Sequence, residues 1–238
     1  MSLRILLVLA ITFLSGFRTP DNLKEVCELI EKLSKANVQK ENIAYDLSYN
    51  LYTGENTQNL ISTLKGMLIQ SKGEKYCQMG EVESLKTKKY FISIDREDKI
   101  IMLSDNKGKE IEVFNLDQLK KYLLLCKQYK ISKLNNNQSK LSMELKAGEI
   151  NKIDIFYHST NFSVEKISLI YNSELNMDAT EESDGSNKKL EIFFNEKGND
   201  MAGDSRLKLA TYCSFKNGVW KASSKYSKYE FINNLNKK

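Results

Sequence analysis

The sequence predicts a mainly β protein, α+β by helix count, with about eleven strands and two helices. Three observations predict this class. Apolar and polar residues alternate in many short segments, turn residues separate these segments closely, and two other segments repeat their apolar residues at helical spacing. Short connections favour antiparallel pairing, because parallel pairs need long crossovers. So many strands rarely stay flat, and we expect a barrel, half-barrel or sandwich in one domain of a 238-residue chain.

The first helix is predicted over residues 19–36. Thr19, Pro20 and Asp21 suit a helix start, since Thr caps well, Pro fits the first position and Asp fits the first turn. A single apolar stripe follows at helical spacing: Leu23, Val26, Cys27, Ile30 and Leu33. A helix with one stripe packs on another surface, and the strand that follows is the nearest one.

The strand predicted at Asn42–Thr53 alternates regularly between apolar and polar residues. Tyr45, Leu47, Tyr49 and Leu51 fall on one face, and polar residues fall mostly on the other. We expect these four side chains to form the first wall of a concave apolar face. Tyr suits a surface that is apolar in body and polar at the tip, so the face either lines a ligand cavity or forms an ordinary β core.

Toward the C-terminus, segments 208–215 and 220–226 are predicted as strands. The Asn217-Gly218 pair is a hairpin signal, with a loop of two or three residues. A last short strand is predicted at 229–232.

A second helix is predicted to interrupt the strands after residue 114. Asn115 suits its N-cap, and Gln118 completes a capping-box pattern three residues later. Its apolar residues cover a wide arc: Leu116, Leu119, Tyr122, Leu123 and Cys126, widened by Leu124 and Leu125. A helix with so wide an arc packs on more than one side. It is either a core helix that plugs the sheet or a lid over a binding cavity.

The N-terminus has the pattern of a secretory signal. Arg4 precedes an apolar run at 5–14, and the small residues Ser15 and Gly16 follow it. We expect a signal peptide over 1–18, one mature domain over 19–238, and a periplasmic location. The four cysteines are widely spaced and lie in apolar patterns, which favours free buried thiols over disulfides: Cys27, Cys77, Cys126 and Cys213.

Composition and motifs exclude several function classes. The net charge of +5 is modest and both signs are mixed along the chain, which is typical of a solvated surface rather than a nucleic-acid groove. His158 is predicted to be a turn residue. The acidic loop with Asp178, Glu181, Glu182 and Asp184 lacks the order of a calcium loop. The sequence has no phosphate-binding loop and no nucleophile elbow, so we expect no enzyme activity, catalytic residue, metal or cofactor.

The order of parts resembles the periplasmic lipoprotein-carrier family of LolA/LolB type. The match consists of the signal segment, the first helix, the strand YDLSYNLY and the segment LKGMLIQSKGEKYCQMG. KIIMLSD is similar to a later strand of the family, and KYSKYEFINN resembles LolA-like proteins of Bacteroidetes-type bacteria. The resemblance spans most of residues 21–233 and lies in order and pattern rather than in an invariant motif.

The resemblance implies a curved antiparallel sheet of about eleven strands in an unclosed barrel, with helices as a lid and acyl chains bound in the apolar concavity. The carriers hold their lid with an Arg on an early strand, whereas Arg96 lies in a predicted turn and Arg206 lies late in this chain.

Two functional hypotheses follow. The first is a periplasmic carrier of an acyl chain or lipoprotein lipid, with these ligand-binding residues: Tyr45, Leu47, Tyr49, Leu51, Leu119 and Leu123. Its partners would be a lipid or acylated protein and an envelope protein, with peripheral membrane contact at most and no nucleic acid. The second hypothesis is a structural or interaction component of an envelope or secretion assembly, whose concave face is filled by its own side chains.

Overall fold

The computed structural model describes residues 23–37, 40–54, 59–111, 116–172, 187–198 and 203–235. Its helices are α1 (Leu23–Asn37) and α2 (Leu116–Leu123). Its strands are β1 (Asn42–Thr53), β2 (Leu60–Ser71), β3 (Glu74–Met79), β4 (Val82–Lys86), β5 (Tyr90–Asp95), β6 (Ile100–Asp105), β7 (Cys126–Lys133), β8 (Gln138–Leu145), β9 (Ile150–His158), β10 (Val164–Tyr171), β11 (Lys188–Gly198), β12 (Cys213–Lys216), β13 (Val219–Ala222) and β14 (Glu230–Asn233).

Twelve of these strands form one sheet that is not closed into a barrel, which confirms the predicted fold class. The order is β14-β6-β5-β4-β3-β2-β1-β11-β10-β9-β8-β7, and β12 and β13 form a separate hairpin. β1 therefore lies inside the sheet, between β2 and β11. Within the described ranges, the two edge strands β7 and β14 do not pair with each other.

One strand pair departs from the predicted antiparallel sheet. β14 pairs parallel with β6, from Glu230 opposite Ile100 to Asn233 opposite Leu103. A parallel pair needs a long connection, and more than a hundred residues separate these two strands in the chain. The expectation of a purely antiparallel sheet is therefore wrong at this edge.

Two-residue turns close two of the hairpins. Lys72 and Gly73 have φ angles of 52° and 81° between β2 and β3, and Asn217 and Gly218 have φ angles of 52° and 79° between β12 and β13. Positive φ at both central residues is the geometry that matches the twist of the flanking strands. The hairpin signal at Asn217-Gly218 is confirmed, with a loop of two residues.

Two apolar clusters lie on opposite sides of the sheet. We call the side of the sheet that carries Tyr45, Leu47 and Tyr49 the apolar face, and the other side the opposite face. The first cluster joins α1 and α2 to the apolar face and extends over β8 to β11. The second cluster covers the opposite face of β3 to β6 with the C-terminal segment 203–235, including Leu207 and Tyr212.

A buried carboxylate helps to join the C-terminal segment to the opposite face. The Glu83 side chain is 2% exposed and accepts hydrogen bonds from Arg96 Nε at 2.6 Å, from the Tyr76 hydroxyl at 2.7 Å and from the Tyr226 hydroxyl at 3.5 Å. Burying a carboxylate is costly unless it is paired and hydrogen-bonded, and these contacts supply both. Arg96 therefore anchors this segment and does not reach the helices.

Two predicted strands near the C-terminus are shorter than expected. Segment 208–215 begins with 3₁₀ turns and becomes a strand only at β12, and 220–226 ends in another 3₁₀ turn after β13. Hydrogen bonds across the first turns hold them in place: the Tyr212 hydroxyl donates to the Arg206 carbonyl at 2.9 Å, and the Thr211 hydroxyl donates to the Ser205 carbonyl. The alternation in 208–211 belongs to a 3₁₀ turn without buried residues, and the strand prediction is wrong over that part.

The second helix ends earlier than predicted. It stops at Leu123, and the next two amides donate three residues back, Leu124 to the Lys121 carbonyl and Leu125 to the Tyr122 carbonyl. This turn leaves Leu124 86% exposed and Leu125 45% exposed, and Cys126 already belongs to β7. The predicted arc through residue 126 is therefore wrong. Asn115 and the side chain of Gln118 lie outside the described residues.

The predicted signal segment and the start of the first helix also lie outside the described residues. None of the helices in the described ranges has the length and apolar character needed to cross a membrane. All four cysteines are described and none forms a disulfide. Three are buried, as predicted, and Cys27 is half-buried.

Candidate ligand-binding face

β1 places three of the four predicted side chains in the apolar cluster. Tyr45, Leu47 and Tyr49 are 3%, 2% and 9% exposed, because alternate residues of a strand point to the same side. Leu51 is half-buried and falls outside the cluster. It pairs with Ser62, in a part of β2 that extends past the end of β3.

The strand register gives each of these residues one neighbour on β2 and one on β11. Named in that order, Leu68 and Glu196 flank Tyr45, Gly66 and Phe194 flank Leu47, and Leu64 and Ile192 flank Tyr49. The face continues with buried residues from the strands beyond β11: Ile167, Leu169, Ile153, Ile155, Leu141 and Met143. The sequence signal for this second half was the alternation in the later strands, which did not reveal that they meet β1 through β11.

Gly66 lies in close contact with β3. A Cβ atom there would lie 2.7 Å from the Gln78 carbonyl oxygen, and it would touch Leu47 Cβ at 3.5 Å and Met79 Cγ at 3.6 Å. Only a residue without a side chain fits beside β3 at this position.

α1 is fixed to the face by its apolar stripe and by a polar contact at its end. Val26, Ile30 and Leu33 are fully buried, and Leu29, which the predicted stripe omitted, is 6% exposed. The side-chain amide nitrogen of Asn37 donates to the Leu33 carbonyl at 2.7 Å and to the Phe162 carbonyl at 2.8 Å. Its side-chain oxygen accepts from the Val164 amide at 2.8 Å and from the Tyr45 hydroxyl at 3.4 Å. This asparagine ties the end of α1 to the sheet.

α2 packs on the same cluster through its described side chains, which begin at Leu119 and include the partly buried Tyr122. Among its described side chains, Leu119 is fully buried and Leu123 is 9% exposed, and both belong to the cluster with the β1 residues. An ion pair between Lys120 and Glu31 links α2 to α1 at 3.6 Å, but both side chains are about half exposed. Such a surface pair contributes about 0–1 kcal/mol. The structure thus brings five of the six predicted ligand-binding residues together in one cluster.

The Tyr49 hydroxyl is buried and has no hydrogen-bond partner among the described residues. An unpaired buried hydroxyl costs about 1–3 kcal/mol. Burial raises the pKa of Tyr49 well above its ordinary range, and the negative charge of the Cys77 thiolate would raise it further. Burial also raises the pKa of the Cys77 thiol, to about 11, so both groups are neutral at pH 7.

The apolar face also carries exposed apolar side chains. Leu64, the β2 partner of Tyr49, is 40% exposed, and Val82 on β4 is 45% exposed. Leu64 also lies against Gly80, where an added Cβ would be 2.8 Å from its Cδ1 atom. The apolar face therefore has a solvent-exposed apolar part on β2 and β4.

Other candidate groups lie apart from the face. His158 ends β9 and leads into a turn, where its Nδ1 lies 2.8 Å from the Thr160 hydroxyl. His158 itself is the last residue of the strand, so its prediction as a turn residue is wrong by one position, and the turn begins at Ser159. The acidic segment with Asp178, Glu181, Glu182 and Asp184 lies outside the described residues. In the part of the chain that is described, no three His, Cys, Asp or Glu side chains come together in a way that could hold a metal ion.

No family model matches this chain, and no curated protein matches it. Solved structures do match at low identity. A DUF1329 family protein from Desulfovibrio piger has 8% identity and a TM-score of 0.39, over 81% of this chain and 99% of that chain. A LolA superfamily protein from Nitrosomonas europaea has 10% identity and a TM-score of 0.30, over 73% of this chain and 93% of that one.

A third match is the MucA/MucB complex from Pseudomonas aeruginosa, with 10% identity and a TM-score of 0.42. It covers 76% of this chain and 59% of that chain. The neighbours include LolA superfamily proteins, as the resemblance in the sequence predicted. The Bacteroidetes-type branch stays a prediction.

Proposed function

We propose that this protein is a non-enzymatic periplasmic carrier that holds an acyl chain or lipoprotein lipid on the apolar face, beneath α1 and α2. The observation that supports the proposal is the packing of α1 and α2 over the apolar cluster. Two helices lie over an apolar cluster without charged residues on one side of an unclosed sheet, and the same face carries exposed apolar side chains on β2 and β4. Such a face suits a ligand without charge.

In this proposal α2 is the element that would move. Leu119 and Leu123 together contribute roughly 3–6 kcal/mol to its docking, at about 1.5–3 kcal/mol for each buried leucine, and the partly buried Tyr122 packs on the same cluster. An acyl chain of about ten carbons gains roughly 8 kcal/mol when it is buried, at about 0.8 kcal/mol for each methylene group. Burial of a chain therefore offsets the displacement of α2, whereas α1 keeps its stripe and the Asn37 contacts.

The location and partners belong to the same proposal. The apolar run at 5–14, with Arg4 before it and small residues after it, supports export to the periplasm, with a signal peptide over 1–18 and one domain over 19–238. The partners would be a lipid or acylated protein and an envelope protein that receives the cargo. Membrane contact would be peripheral.

Hydrogen–deuterium exchange tests the proposal on the wild-type protein. With methyl decanoate as the probe, we expect faster exchange at α2 amides and unchanged exchange in α1 and in β5 and β6. The variant Leu119→Ala should speed α2 exchange without any probe. Its matched control is Leu103→Ala, which removes an equally buried leucine from the other cluster and should leave α2 unchanged. No binding of the probe, with no change at α2, would exclude the carrier function.

A second function is favoured by the dense filling of the same face. Tyr45 and Leu47 are nearly inaccessible, and the rings of Tyr45 and Phe194 meet edge to face at 5.8 Å. A filled face suits a structural or interaction component of an envelope or secretion assembly. That function predicts that α2 exchange does not respond to acyl probes and that the protein co-purifies with a protein partner and no lipid.

A further inference from the structure

The hydroxyl of Tyr49 differs from the other buried tyrosine hydroxyls of the sheet. The Tyr45 hydroxyl lies 3.4 Å from Asn37 Oδ1, and the Tyr76 hydroxyl donates to Glu83 at 2.7 Å. Tyr49 is only 9% exposed, and its hydroxyl has no hydrogen-bond partner in the described part of the chain. Buried hydroxyls are almost always hydrogen-bonded, so an unpaired one on a candidate binding face indicates a missing partner.

The position of Tyr49 fits the polar end of a chain-like ligand. Its β2 neighbour Leu64 is 40% exposed, whereas the Tyr49 hydroxyl is buried, so the tyrosine lies just inside the exposed part of the face. Further along the cluster, the side chains of Leu119, Ile167 and Ile192 are apolar and buried. A ligand with one polar group and a long apolar chain would place the polar group at Tyr49 and the chain among these residues.

The charges around Tyr49 restrict the kind of polar group. The hydroxyl keeps its proton at neutral pH, because burial raises its pKa, and it therefore serves as a donor. The residues of the apolar cluster carry no charge at neutral pH. Lys75 lies on the same face of β3, beyond Cys77, and its Nζ donates to the Ile111 carbonyl at 3.3 Å. In the described part of the chain no cation hydrogen-bonds to Tyr49, so a carboxylate there would be a buried charge without a partner, which is strongly unfavourable.

We infer that the Tyr49 hydroxyl donates a hydrogen bond to the uncharged carbonyl oxygen of an ester- or amide-linked acyl chain. This inference rests on the proposed carrier function and assigns Tyr49 as the residue that sets specificity. The site then prefers acyl esters and amides to free fatty acids and to hydrocarbons of the same length.

Competition binding tests the inference with delipidated protein and a fluorescent apolar probe. The competitors are methyl decanoate, sodium decanoate at pH 7.5 and undecane. Wild-type protein should bind methyl decanoate about tenfold more tightly than undecane, which is the gain expected from pairing a buried donor. Tyr49→Phe should remove this preference and leave undecane binding unchanged. Tyr226→Phe, a variant in the other cluster, should keep the wild-type preference.

The outcomes separate this inference from the proposed function. If wild-type protein binds methyl decanoate and undecane, and Tyr49→Phe keeps the full preference for the ester, the role of Tyr49 is wrong and the carrier function stands. If wild-type protein prefers decanoate to its ester, the assignment of an uncharged carbonyl is wrong. If wild-type protein binds none of the three competitors, both the carrier function and the inference fail.

Discussion

The same substitution at two buried tyrosines should change stability in opposite directions. Tyr49→Phe removes a hydroxyl without a partner, and we expect the free energy of unfolding of the delipidated protein to rise by about 1–2 kcal/mol. Tyr76→Phe removes a hydroxyl that donates to the Glu83 carboxylate at 2.7 Å. A hydrogen bond to a charged group contributes about 1.5–3 kcal/mol, so this variant should lose that amount.

Urea unfolding at pH 7 measures both changes, and thermal unfolding gives a second measure. For a chain of this size, 1 kcal/mol corresponds to a shift in Tm of roughly 2–4 °C. The two variants remove the same atom, so they share any general effect of Tyr→Phe substitution. A loss of stability in Tyr49→Phe as large as that in Tyr76→Phe would show that the Tyr49 hydroxyl has a partner in the ligand-free protein, and it would refute the reasoning.

Three further predictions concern the rest of the sheet. Arg96→Leu leaves the buried Glu83 carboxylate without its cation, and urea unfolding should show a loss of about 2–4 kcal/mol in the free energy of unfolding. This loss is below the range for a fully buried pair because Arg96 is about one third exposed. A loss below about 1 kcal/mol would contradict the prediction. Gly66→Ala places a Cβ atom 2.7 Å from the Gln78 carbonyl oxygen, and the same assay should show a loss of about 1–3 kcal/mol, with wild-type stability as the contradicting result. The free energy of unfolding should fall between about pH 9 and pH 11, because burial raises the pKa of Cys77 from 9.0 to about 11. Below pH 9 the thiol keeps its proton in the folded and the unfolded state. Above pH 9 the unfolded state releases the proton first, which favours unfolding. Urea unfolding at several pH values should show a smaller fall in Cys77→Ala, and an equal fall would contradict the assignment to this thiol.

Local pattern predicted the part of the site that depends on one strand. The alternation in β1 predicted the buried positions of Tyr45, Leu47 and Tyr49, because the period of two is a property of the strand itself. It failed at Leu51, which is half-buried outside the cluster and pairs with Ser62, further from the end of β3 than Leu64, the partner of Tyr49. The pattern within one strand does not show where neighbouring strands end.

Contacts between segments far apart in the chain could not be predicted from the sequence pattern. Glu83 and Arg96 look like ordinary surface charges in the sequence, and only the β4–β5 hairpin register and the return of Tyr226 from the C-terminus bury them together. The parallel pairing of β14 with β6 has the same origin. The second helix was overextended because Leu124 and Leu125 continue its apolar pattern, although a turn directs both toward solvent.

Native mass spectrometry of protein purified gently from an exporting host tests the central claim most directly. We expect one bound acyl species per chain, held as an ester or amide and lost on delipidation. We also expect delipidated wild-type protein to take up one equivalent of methyl decanoate. A clean ligand-free mass before and after incubation with the probe would contradict the carrier function and leave the apolar face as a filled core.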